Sequence, residues 1–293
     1  MTIGNLSKYE VLVAVAETGS LTAAAERLGY TQSGVSRIVA DLEKECGFPL
    51  LTRGKLGCNL TKEGEKMLIP IRSLLRSGEL VMETAAEING LRSGHIRVGL
   101  FSSAAVQWAP QMVTDFLAQY PNIRVEFYAG LYQEIVQMIE SEELDCGFIT
   151  REAKEELKFR ELKTDRLLAV LPLDHPWAQE SALPVSYLSR EDFILPGEGS
   201  HNDIGRIFSE QGIQPNVRFS MRDDSGAIAM VAHGLGISIL PEMVLKGVSL
   251  PVKALPLDPP FSRVIGIACK GNRVLSPAAR AFIAFTSEWV KKL

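Results

Sequence analysis

The stretch from Ser20 to Glu43, SLTAAAERLGYTQSGVSRIVADLE, constrains this chain most, because it reads as two short helices joined by a turn. Ser20 suits the N-cap of the first helix, in which Ala23, Ala24 and Leu28 recur at the spacing of one apolar face and the alanines let a second helix approach closely. Gly29 ends that helix. Thr31 suits the cap of the second, whose Val35, Ile38, Val39 and Leu42 point inward while Gln32, Ser33, Ser36 and Arg37 form an exposed face of short polar limbs. Such a face can enter a major groove: glutamine pairs with adenine, arginine with guanine, and hydroxyls reach bases or phosphates. The same residues also fit an ordinary alanine-rich hairpin in a core. The flanks favour the helix-turn-helix. Leu6 to Ala16 is a further amphipathic helix, and Gly47 to Thr61 carries glycines, a proline, Arg53 and Lys55, as suits a two-stranded wing that reaches phosphate.

The segment AETGSLTAAAERLGYTQSGVSRIVADLEKECGFPLLTR followed by LTKEG resembles, in order and spacing, the LysR-type transcriptional regulators, and the resemblance runs the whole length of the chain. Two wing positions depart from the family pattern. Leu51 stands where phenylalanine is usual, which alters packing, and Leu56 stands where a second arginine is common, which leaves Arg53 and Lys55 to attract phosphate. The resemblance implies an N-terminal all-α winged helix-turn-helix over 1–61, a dimerising linker helix over 62–91 and a C-terminal α/β two-lobed, periplasmic-binding-protein-like effector domain over 92–293. Lobe one would span approximately 92–161 and 268–293, and lobe two approximately 162–267. It further implies a homotetramer built from two dimers, and contact with RNA polymerase.

Composition agrees. The 293 residues, 46% hydrophobic and 23% charged, can bury one or two sizeable cores. No charged-then-apolar leader precedes the first helix and no run of ~18 apolar residues occurs, so a cytoplasmic protein with no membrane partner is expected. A net charge of −4 is unusual for a nucleic-acid binder, and the first ninety residues hold about as many acids as bases. Placement therefore carries the argument: Asp41, Glu43 and Glu45 lie at the far end of the reading helix, whereas Arg37, Arg53 and Lys55 lie where DNA would be. Cys46, Cys58, Cys146 and Cys269 lack Cys-x-x-Cys spacing and read as reduced thiols; Cys146 and Cys269 sit in apolar strand-like runs, where burial lowers reactivity.

From Thr61 to about Gly90 a long helix carries Met67, Ile71, Leu74, Gly78, Val81, Ala85 and Ile88 at alternating steps of four and three, the seam of a helix pair and hence of a homodimer. Pro70 predicts a kink or local break near its start. Beyond Arg92, strand-like and helical runs alternate, which predicts α/β units around parallel sheets. The strands are HIRVGLF, IRVEFYAG, LDCGFIT, LLAVLP, DFILPG, VRFSM, GISILP and RVIGIACK; the helices are Ala104 to Tyr120, Tyr132 to Glu142, Asn202 to Gln211, Ser225 to His233 and Pro277 to Lys292.

Ligands of open α/β sheets bind beyond the carboxyl ends of strands, where helix N-termini present free amides. Four such junctions can be named: Ser102 and Ser103; Gly130 and Leu131; Thr150 and Arg151; and Gly199 with Ser200, His201 and Asn202. Hydroxyls plus free amides favour a small organic acid or amino-acid-like effector. Arg151 can pair with an acid group, although the charged run after it equally suits a solvated surface. His201 is a donor in a polar loop, and His233 joins the set by analogy. GEGSHND places Ser, His and Asp side by side, which cannot form a nucleophile, base and orienting acid, and no Gly-x-Ser-x-Gly elbow or phosphate loop occurs. No catalytic residue, cofactor or metal site is expected; the four histidines lack ligand spacing. The competing reading is a cytoplasmic solute-binding or enzymatic α/β protein with an incidental helical N-terminus.

Overall fold

A computed structural model describes residues 6–54, 57–89, 93–151 and 157–293, with only the backbone described for Arg53 and for residues 198–202. The chain divides into two compact units. One holds residues 1–92 with 140–143 and 275–277, and the other holds the remainder.

The first unit begins with α1 (Ser7–Thr18), α2 (Leu21–Leu28) and α3 (Gln32–Cys46). Ser20 caps α2 by accepting the Ala23 N–H at 3.3 Å, and Thr31 caps α3 by accepting the Gly34 N–H at 3.1 Å. Each cap of this kind contributes roughly 0.5–2 kcal/mol. Val11, Leu12 and Val15 of α1 meet Ala24, Val35, Val39 and Leu42 in one buried cluster. The wing follows as β1 (Leu51–Gly54) paired antiparallel with β2 (Gly57–Leu60). Glu43 of α3 fixes its root, since one carboxylate oxygen accepts the Leu50 and Leu51 N–H groups at 2.7 and 3.0 Å. Leu51, the family departure, is itself buried in the cluster.

Helix α4 (Lys62–Ile88) then runs without a break through Pro70. Pro70 lies exposed, so water can reach the Lys66 carbonyl that loses its partner, and the expected break does not form. Gly64 in its first turn has no substitute: a Cβ there would lie 2.2 Å from the Leu50 carbonyl oxygen. The seam read from the sequence also divides. Ile71 is buried in the cluster of the first unit, Leu74 packs against it, and a Cβ on Gly78 would meet Leu6 at 3.4 Å. Val81, Ala85 and Ile88 stay exposed, Val81 at 66% and Ile88 at 81%. Heptad spacing marks an apolar stripe but not the surface that covers it.

The second unit contains β3 (Ser93–Leu100), α5 (Ser102–Gln107), α6 (Ala109–Gln119), β4 (Asn122–Ala129), α7 (Tyr132–Glu140) and β5 (Cys146–Thr150). There follow β6 (Leu157–Pro172), β7 (Leu183–Pro184), β8 (Asp192–Leu195), α8 (Glu198–Gln211), β9 (Asn216–Ser220) and α9 (Asp224–Ala232). The unit closes with β10 (Ser238–Pro241), α10 (Glu242–Leu245), β11 (Val252–Lys270) and α11 (Pro277–Val290). The single helix expected over Ala104 to Tyr120 is two, divided at Trp108, because Pro110 in the first turn of α6 has no N–H for the preceding helix.

The sheet corrects the expectation of parallel strands. β3 pairs parallel with β4 and β5, but β11 is antiparallel to both β5 and β6, and β10 is antiparallel to β6. Only the ends of β6 and β11 were legible as strands. Both are long and pair along most of their lengths, so they carry the chain from one lobe to the other as a continuous two-stranded bridge. β8 and β9 form a separate parallel pair.

Candidate DNA-reading face and effector site

The reading face rises from the first turns of α3. Thr31, Gln32, Ser33 and Arg37 are exposed and Ser36 is half-buried. The Thr31 and Ser33 hydroxyls lie 3.2 Å apart, one donating to the other, and no hydrogen bond or ion pair among the described residues engages Arg37. The guanidinium is therefore available to a base edge. Ser20 is occupied as the α2 cap. Arg53 belongs to β1 with only its backbone described, and Lys55 and Leu56 lie outside the described residues. The acids at the far end of α3 have internal tasks: Glu43 holds the wing root, and Glu45 pairs with Lys8 at 2.5 Å.

The second unit has its most polar interior where the bridge strands meet helices of both lobes. Arg263 of β11 stands opposite Asp165 of β6 and is only 3% exposed. Its Nε and Nη2 donate to Asp165 Oδ2 at 2.9 and 2.8 Å, its Nη1 to the Tyr132 hydroxyl at 2.7 Å, and its Nη2 to Ser103 Oγ at 3.1 Å. Asp165 Oδ1 in turn accepts the Met243 N–H at 3.0 Å. The cluster thus ties α5 and α7 of lobe one and α10 of lobe two to the bridge. Phe101 covers it, with the guanidinium carbon 5.3 Å from the ring centre.

Electrostatics hold these groups in fixed charge states. Burial pulls the Arg263 guanidinium down, but Tyr132, Asp165 and Asp203 more than offset it, and the group stays above its ordinary value. Burial pushes the Tyr132 phenol well up; Arg263 opposes this, while Asp203, Asp165 and Asp224 add to it. The result is a neutral phenol beside a permanent cation. Desolvation likewise raises the Cys146 and Cys269 thiols, so both are poor nucleophiles.

The four expected junctions fare differently. Ser103 joins the Arg263 cluster and Ser102 is exposed one position earlier. Thr150 is buried and pairs with Ile265, two residues beyond Arg263, so strand alternation puts Thr150 on the sheet face that carries Arg263. The amides are less available than expected. Gly130 N–H donates to the Leu100 carbonyl, Leu131 N–H to Glu134 Oε2 at 2.9 Å, and Arg151 N–H to the Val264 carbonyl. The Arg151 side chain is exposed and pairs with Glu161 at 2.5 Å, the solvated alternative. Residues Gly199, Ser200, His201 and Asn202 lie within the opening turns of α8, which begins earlier than expected, at Glu198; their side chains are outside the described set. His233 is exposed at the C-cap of α9, with Nδ1 2.8 Å from the Ala229 carbonyl oxygen, and a helix C-terminus disfavours an anion.

Arg263, Asp165 and Tyr132 escaped the sequence reading. A signal existed: an acid and a base each head an apolar strand, in DRLLAVLP and RVIGIAC. Their register across the bridge is not visible in one dimension.

Comparison with known proteins matches this architecture. Residues 6–65 fit the bacterial regulatory helix-turn-helix protein, lysR family, and residues 89–291 fit the LysR substrate binding domain. An uncharacterized HTH-type transcriptional regulator of Bacillus subtilis, YvbU, is 32% identical over 97% of this chain and 98% of its own. Among solved structures, a full-length OxyR variant from Pseudomonas aeruginosa shares the fold with a TM-score of 0.80 at 22% identity, covering 99% of this chain and 96% of that one. The regulatory domain of CcmR from Synechocystis, solved in complex with 2-PG, has a TM-score of 0.64 at 22% identity, over 69% of this chain and 99% of that one. With both domains matched over nearly its whole length, the chain belongs to the LysR family of DNA-binding transcriptional regulators.

Proposed function

We propose that this regulator's hold on DNA is set by a small organic acid or amino-acid-like metabolite received between the two lobes, beside the Arg263 cluster. The observation that carries this reading is the convergence of Ser103, Tyr132, Asp165 and Met243 on Arg263, which links helices of both lobes to one pair of bridge strands. Exposed Ser102 and buried Thr150 add hydroxyls to the set. An effector that binds one lobe arrangement better than another shifts their populations by its differential affinity. CcmR, whose regulatory domain shares this fold, was solved in complex with the small molecule 2-PG, which supports the reading.

Two copies pair through the exposed part of α4, over Val81, Ala85 and Ile88, and two such dimers form the tetramer. Arg37 and Gln32 read bases, Ser33 and Ser36 contact bases or phosphate, and Arg53 and Lys55 hold the backbone. The regulator works in the cytoplasm and acts on RNA polymerase bound nearby.

The test is footprinting of the full-length protein on DNA upstream of its own gene, at stated salt with competitor, repeated across a panel of carboxylate and amino-acid metabolites. The reading expects protection of a partly palindromic site whose extent changes with one class of acid. Protection that no acid alters would remove the effector class while leaving the DNA function intact.

A further inference from the structure

We infer that Tyr30 is a DNA-backbone contact, its ring lying on a deoxyribose and its hydroxyl donating to a phosphate at the rim of the groove that α3 enters. Tyr30 occupies the turn between α2 and α3, one residue before the Thr31 cap. It is 45% exposed, and every other large apolar side chain described between residues 6 and 68 is buried or half-buried. A lone exposed aromatic is ordinary on a protein surface. Its place is what carries the inference, because this one flanks the side chains available to bases.

The backbone there is held firmly. Gly29 takes φ 71°, and Tyr30 N–H donates to the Ala25 carbonyl at 2.9 Å, so the ring projects from a closed turn. No described hydrogen bond engages its hydroxyl, which leaves a donor beside the N-terminal dipole of a reading helix. The first-turn residues Gln32, Ser33 and Arg37 take the groove. A side chain outside the helix, before the cap, faces the sugar-phosphate rail, where tyrosine hydroxyls commonly bond phosphate oxygens.

The experiment titrates the full chain, Tyr30→Phe and Tyr30→Ala against two duplexes by fluorescence anisotropy, one selected from a random library by the wild-type protein and one shuffled. Tyr30→Ala is expected to weaken both by about tenfold and Tyr30→Phe both by about threefold, the loss of one hydrogen bond to a charged acceptor and of apolar contact. The preference for the selected duplex and the salt slope stay at wild-type values, because a neutral side chain releases no counterion. Unchanged binding by Tyr30→Ala overturns the assignment. So does a loss confined to the selected duplex, which would make Tyr30 a base reader. If Tyr30→Ala melts early, Tyr30→Phe decides: an equal loss on both duplexes sustains the phosphate contact, and wild-type binding overturns it.

Discussion

Arg263 and Asp165 face one another across the antiparallel bridge strands, and the guanidinium gives two N–H bonds to a single carboxylate oxygen, from Nε at 2.9 Å and from Nη2 at 2.8 Å. The other carboxylate oxygen holds Met243, so neither partner has a spare role in water. Removing one member of a buried pair leaves a charge unanswered, which costs about 3–5 kcal/mol. Asp165→Asn is therefore expected to move the unfolding transition of the effector domain to lower urea. The transition of the DNA-binding domain stays where it is. Coincident shifts in fluorescence and circular dichroism for both domains would contradict a local role.

Tyr132 supplies a pH signature. Its folded-state pKa lies above the ordinary tyrosine value of roughly 10. A group whose folded pKa is raised stabilises fully below its unfolded pKa and loses that contribution as pH rises toward the folded one. Wild-type protein is thus expected to lose stability against Tyr132→Phe as pH climbs past about 10, in paired thermal melts. Parallel curves over that window would mean the phenol is not shielded as the structure shows.

Arg37 and Lys55 separate reading from holding. Arg37→Ala is expected to lose about 1–3 kcal/mol of discrimination at particular base pairs, while Lys55→Ala weakens all sequences alike and lowers the salt slope by about one. Binding measured on a set of single-base operator variants distinguishes the two. Equal losses on every sequence from both changes would take base reading away from Arg37.

Glu43 ties the wing to the reading helix. Glu43→Ala frees the Leu50 and Leu51 amides, at roughly 1–3 kcal/mol for each left unsatisfied. The expected result is a lower melting temperature of the DNA-binding domain and weaker binding to all duplexes. Glu43→Gln, which keeps one acceptor oxygen, recovers part of the loss.

The first sixty residues were legible because their information is local. Caps at Ser20 and Thr31, the stops at Gly29 and Gly47, and the inward faces of α2 and α3 all depend on neighbours within a turn of helix, and the observed helices follow them closely. Along α4 the same periodicity was correct as a stripe and incomplete as an interface: Ile71 and Leu74 belong to the unit's own core, and only the later positions remain open. Pro70 was read as a break because a missing N–H is a local fact, whereas its position on the exposed side of α4 is not.

In the effector domain, residue spacing alone established alternating strands and helices and a cleft at strand ends. It did not establish which hydroxyls, amides and charges meet there. Arg263 and Asp165 are 98 positions apart, a separation that no periodicity spans, and their bond exists because β6 and β11 run antiparallel in one register. Arg151, the arginine that stood out on the chain, is turned to Glu161 and solvent, while the arginine that organises the interior was hidden at the head of an apolar strand. Helical caps are settled by a few consecutive residues, but the partners of a buried charge are settled by strand pairing and helix packing, which bring distant segments to within hydrogen-bonding distance, 2.8 Å here, only after the chain has folded.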